Sequence, residues 1–129
     1  MGDLITEALQ PPQWLPAATQ GTIGIQCRAG DEAVIDLIEP LKDPDTVLRT
    51  HAERTVATVL QGSCQVPLAV FAELNGEELR ISGMVGMPDG SEIVRGVQAG
   101  STGEVDQLSA AVADDLLSQG AGRIIASLA

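Results

Sequence analysis

A thiol stands at Cys64 within Gln61-Gly62-Ser63-Cys64-Gln65-Val66-Pro67, between a glycine that suits a helix end and a proline that suits a strand start. Free cysteine is commonly a small buried hydrophobe, but a thiol on a Gly/Ser-flanked loop is displayed, and display lets sulfur bond covalently to an electrophile. Other chemistry is poorly supplied. His51 is the sole imidazole, and on a helix running to Leu60 it would lie on the order of 15 Å from the loop, too far to take the thiol proton. The negative end of that helix also disfavours a thiolate. One histidine and two cysteines 37 positions apart offer no pair at metal-ligand spacing, so no metal is expected. His51 reads as a partly exposed helix residue, and the acids as solvated faces, turns and caps. Arg54 has two open readings, a surface ion pair or a support for the Cys64 loop.

The chain that must position this thiol has 129 residues, enough for one ordinary domain with a core and a short piece of another. Hydrophobic residues make up 44% and aromatics 2%, with Trp14 and Phe71 the only examples, so the core is expected to be aliphatic. Eighteen acids against seven bases give a net charge of -11, which repels phosphate backbones and anionic lipid. Nucleic acid and membrane are therefore excluded as expected partners. No apolar run approaches the roughly 20 residues of a membrane span, and no basic-then-apolar start suggests a signal peptide, so a cytoplasmic protein with reduced thiols is expected. Met1-Gly2-Asp3-Leu4-Ile5-Thr6 formally fits a myristoylation pattern, but an acidic start works against anchoring and an ordinary terminus is the expectation.

Residues 1 to 21 read as a turn of helix broken by Pro11-Pro12 and Pro16. Thr22 to Arg28 alternates, with Ile23, Ile25 and Cys27 on one side, which predicts a half-buried strand with Cys27 toward a core. A short helix is expected over Asp31 to Leu41, ended by Pro40. A longer one runs from Pro44 to Leu60 behind Asp43 as N-cap, with Gly62 just past its end. Strands follow at Val66 to Leu74, Leu79 to Met87 and Glu92 to Gln98, joined by Asn75-Gly76 and Pro88-Asp89-Gly90 turns. Ser101-Thr102-Gly103-Glu104 is a capping box for a helix carrying Val105, Leu108, Val112 and Leu116, and Arg123 to Leu128 forms a last short helix. The fold class is thus α+β, a three-stranded antiparallel sheet covered by helices. The Thr22 strand has no partner in such a unit and looks like part of a sheet completed elsewhere.

Leu15-Pro16-Ala17-Ala18-Thr19-Gln20-Gly21-Thr22-Ile23-Gly24-Ile25-Gln26-Cys27-Arg28, Ala52-Glu53-Arg54 and Gly62-Ser63-Cys64-Gln65-Val66-Pro67 occur in order. Ala72-Glu73-Leu74, Gly83-Met84-Val85-Gly86, Pro88-Asp89-Gly90 and Leu116-Leu117-Ser118-Gln119-Gly120-Ala121 continue the series. Together they resemble porphobilinogen deaminase, also called hydroxymethylbilane synthase, over nearly the whole chain. The likeness is to the C-terminal part of a three-domain enzyme. It implies that residues 1-43 are the tail of the second domain and the return strand of the first, part of the neighbouring α/β domains, and that 44-129 are the C-terminal cofactor-carrying domain.

The resemblance implies a transferase of tetrapyrrole and haem biosynthesis. Family members condense four porphobilinogen molecules into hydroxymethylbilane with release of ammonia, the chain growing on a dipyrromethane cofactor held by a cysteine thioether. Cys64 corresponds to that cysteine, and Gln20 and Gly21 to a pair lining the cleft near cofactor and incoming pyrrole. Thr19 stands where glycine is more usual. A soft thiol suits the role, because the electron-poor carbon left by loss of ammonia is a soft electrophile. The family's substrate-binding arginines and catalytic aspartate belong to the first two domains, so no catalytic residue is expected in this chain. Implied partners are porphobilinogen, the growing oligopyrrole and the missing N-terminal domains, in a monomer. A net -11 body does not grip a polyanion unaided, which leaves a second reading open, a non-catalytic α+β binding or scaffold module.

Overall fold

Asp43-Pro44 opens the longest helix for a local reason: proline needs no amide partner in a first turn, and its ring presets the helical φ. In the computed structural model, which describes residues 15–60 and 68–127, this helix is α2, Pro44–Val59. The Asp43 carboxylate accepts from the Thr46 hydroxyl at 2.6 Å, and its carbonyl accepts Val47 N–H at 2.9 Å. That hydroxyl holds the Asp43 carboxyl below the usual carboxylate range. Before it lies α1, Glu32–Ile38, capped by Asp31 and continued by one tighter turn, Glu39–Leu41, that carries Pro40.

The sheet contains β1, Leu68–Asn75, β2, Glu78–Gly86, and β3, Ile93–Ser101, in the antiparallel order β1-β2-β3. Asn75 pairs with Glu78, so Gly76 and Glu77 make the whole first turn, and Gly76 takes φ +64° where a side chain is disfavoured. The sheet leads through the capping box, with Ser101 Oγ accepting Gly103 N–H and Glu104 Oε1 accepting Ser101 N–H. One tight turn, Thr102–Glu104, then enters α3, Val105–Ser118, and the chain closes with α4, Ala121–Ser127. This is an α+β fold, one antiparallel sheet with four α-helices among the described residues.

Strand alternation sends Val70, Ala72, Leu79, Ile81, Val85 and Val94 to one face, where they meet Ala52 and Val56 of α2, Val112 and Leu116 of α3, and Ile124 of α4. The core is aliphatic, as the composition implies. Helix α3 lies close because the sheet beneath it is glycine-bearing: a Cβ on Gly83 would sit 2.9 Å from Leu116 Cδ1 and 3.0 Å from Val112 Cγ1. Phe71, Met84 and Val97 fall on the opposite face, which no described helix covers. Buried Ser109 donates to the Val105 carbonyl at 2.7 Å and the Ala52 carbonyl at 3.3 Å, joining α3 to α2 without an unpaired hydroxyl.

One sequence expectation is corrected. Residues 22–28 form no strand, Ile23 and Ile25 are 89% and 54% exposed, and Cys27 is exposed instead of facing a core. Alternation supplies a face, but a strand also needs a ladder partner, and none of the described strands lies alongside. The expected features at Leu4 to Leu9, Gly62 and Val66 fall outside the described residues.

Candidate functional site

Cys64, the expected covalent anchor, falls in the segment between α2 and β1, outside the described residues. Gln20 and Gly21 are described, and their position follows from the chain just before them. The Pro16 carbonyl accepts Val70 N–H of β1 at 3.1 Å, and Ala18 packs against the core. Thr19 N–H donates to Glu53 Oε1 at 2.6 Å, while Glu53 Oε2 accepts Ala72 N–H of β1 at 2.9 Å. Glu53 is 7% exposed, so this carboxylate is buried between two backbone donors. Sequence reading set Glu53 aside among solvated acids. Its spacing, three residues before Val56 and seven before Leu60, places it on the apolar face of α2 and is the available signal.

Two hydrogen bonds shape the turn that follows, Gln20 N–H to the Ala17 carbonyl at 3.2 Å and Thr22 N–H to the Thr19 carbonyl at 3.0 Å. Thr19 has φ +58° and Gly21 φ +80°. A Cβ on Gly21 would meet nothing within 4 Å, so glycine is needed there for its backbone angle and not for space. Thr19 occupies the same left-handed region with a branched side chain.

Gln20 and Gly21 open onto a cleft of about 760 Å³ between residues 20–25, the turn after α1 and the first half of α2. Lys42, Arg49 and His51 share its wall, a clustering that the spacing of the basic residues along the chain does not disclose. Each is engaged locally. Lys42 Nζ meets Glu39 Oε1 at 3.0 Å, Arg49 Nη2 donates to Thr46 Oγ1 at 3.1 Å, and His51 Nε2 lies 2.7 Å from Asp106 Oδ1 of α3. His51 is exposed, as expected for a helix surface residue. Arg54 is exposed as well.

Chemically, the cleft is of ligand size. Glu39 and Asp43 stand in the same wall as Lys42 and Arg49, so it lacks the surplus of positive charge that a ligand studded with acetates and propionates requires. The described residues therefore do not by themselves fit a dipyrromethane as a complete cradle. Among the described residues no cluster of histidine, cysteine or acids suits a metal ion, and no helix is long and apolar enough to cross a membrane. In comparison with protein families, the model described as porphobilinogen deaminase, C-terminal domain, matches residues 47–118. The matched stretch runs from the first turn of α2 to the end of α3 and includes Cys64; Gln20 and Gly21 precede it.

Proposed function

Since the chain belongs to the porphobilinogen deaminase family through its C-terminal domain, we propose that it is the cofactor-carrying part of a hydroxymethylbilane synthase. In this reading Cys64 tethers a dipyrromethane by a thioether, one per chain, and the group when bound supplies the end on which porphobilinogen units are added. Gln20 and Gly21 line the approach to it, with the glycine φ letting the backbone come close to a ligand. The overall reaction is the family's, four porphobilinogen and one water to hydroxymethylbilane with loss of four ammonia, in the cytoplasm.

The observation that carries the reading is the family match across the segment that holds Cys64. Two further features support it. Ile23, Leu37 and Leu41 are 89%, 76% and 67% exposed, an apolar surface that suits burial against the first two domains. The cleft beside Gln20 lacks net positive charge, in keeping with arginines supplied from elsewhere. Residues 1–43 on this view belong with the neighbouring domains, and the chain alone is catalytically incomplete.

The test is the intact mass of the chain produced together with the N-terminal two domains of a family member, read alongside Ehrlich's reagent for pyrroles. A two-pyrrole adduct on the parent chain and none on Cys64→Ser is the expected result. An unmodified parent chain defeats the carrier reading, and consumption of porphobilinogen by the chain alone defeats its incompleteness.

A further inference from the structure

Glu53 is the one buried carboxylate among the described residues, and it meets no cation there. Its two oxygens serve separate parts of the chain, Thr19 N–H at 2.6 Å and Ala72 N–H at 2.9 Å. A buried carboxylate is costly to keep unless its oxygens are satisfied, and a carboxylate, unlike an amide, offers an accepting oxygen to a donor on either side. A glutamine would turn an amide N–H₂ toward one of them and offer the other only a weaker, neutral acceptor, so both bonds are disturbed. The Pro16 carbonyl on Val70 N–H adds a third attachment on the same edge of β1. The segment up to Thr19 is thus bonded to the α2 and β1 body, whereas from Gln20 to Thr22 the backbone bonds among the described residues are local to the turn and each residue is exposed.

We propose that Glu53 is a positioning residue that fixes where the bend into the rest of the enzyme begins, holding Thr19 to the cofactor-carrying body so that movement starts at Gln20-Gly21. Thr19 at φ +58° is strained, and strain of that kind persists only where the surroundings over-determine it. The Glu53 bond does this directly, because releasing Thr19 N–H lets the residue return to an ordinary φ and swings Gln20 with it. The functional consequence rests on the reading of Gln20 and Gly21 given above; the mechanical one does not.

Hydrogen exchange on the chain itself tests the clamp. In Glu53→Gln, exchange at the Thr19 and Ala72 amides is expected to speed by roughly tenfold to a hundredfold, the loss of a hydrogen bond to a charged group, while amides of Ile81 and Val112 keep their parent rates. Unchanged protection at Thr19 overturns the proposal, and so does acceleration spread evenly over the core. Thr19→Gly in the Glu53→Gln background should show the same fast exchange, since glycine removes the strain without restoring the acceptor; restored protection also overturns it. With the N-terminal domains present, Glu53→Gln should still form the Cys64 adduct but raise KM for porphobilinogen more than it lowers kcat; a loss in kcat as large as the rise in KM, or larger, overturns the positioning role. Absence of the adduct in the parent defeats the carrier reading alone, and the exchange data still judge the clamp.

Discussion

Thr19 shows how one side chain can be legible as an oddity without its cause being legible. A branched residue in the left-handed region costs about 1 to 2 kcal/mol, and the sequence marks the position only because a bulkier residue stands where glycine is more usual. The acceptor that holds it lies 34 residues away, which no local pattern encodes. Thr19→Gly is expected to raise stability by about 0.5 to 1 kcal/mol, the relief of strain being partly offset by the freer unfolded chain. A urea midpoint that moves up with unchanged slope checks this, and a downward shift would contradict it. Cys27 is the opposite case. Alternation assigned it to a core, yet it is exposed, so native protein should be alkylated there as fast as unfolded protein, and Cys27→Ser should change stability by less than about 0.5 kcal/mol.

Elements were easier to read than contacts. The three strands, the two long helices and the capping box at Ser101 all follow from periodicity and end signals, with boundaries off by one to three residues, the most at the end of β3. Period alone does not report how near α3 lies to β2, because that distance depends on Gly83 meeting Val112 and Leu116. Gly83→Ala should therefore cost about 1 to 3 kcal/mol through overpacking, measurable as a lower unfolding midpoint; an unchanged midpoint would mean that α3 moves away freely. At the start of α2, the Thr46 hydroxyl depresses the Asp43 carboxyl below its ordinary value of 3.8. A depressed folded value stabilises above the unfolded one and is lost as pH falls through the folded one. Asp43→Asn should accordingly melt lower than the parent at neutral pH, and the gap should close only below about pH 3.8. A gap constant down to pH 2 would assign the difference to something other than this charge.

At the scale of the whole molecule, the order of motifs pointed to the family and to the α+β class, and the family match agrees over more than half of the chain. What the sequence could not supply was the state of residues 22–28. A strand is a property of two segments, and the segment that would pair with this one is not among the described strands. If those residues enter a sheet of the first domain, amides of Ile23 and Ile25 should exchange freely in the chain alone and become protected when the N-terminal domains are added. Exchange that stays fast on addition would remove that assignment. The edge of β1 has a separate consequence. Its successive outward donors, Val70 N–H and Ala72 N–H, are taken by Pro16 and Glu53 of the same chain, so lateral stacking of copies can proceed only past β3. There the Arg95 carbonyl is already taken by Gln119 Nε2 at 2.7 Å, so even that border is partly closed, and concentrated protein should stop at dimers at most where an open-bordered sheet would go on to fibres.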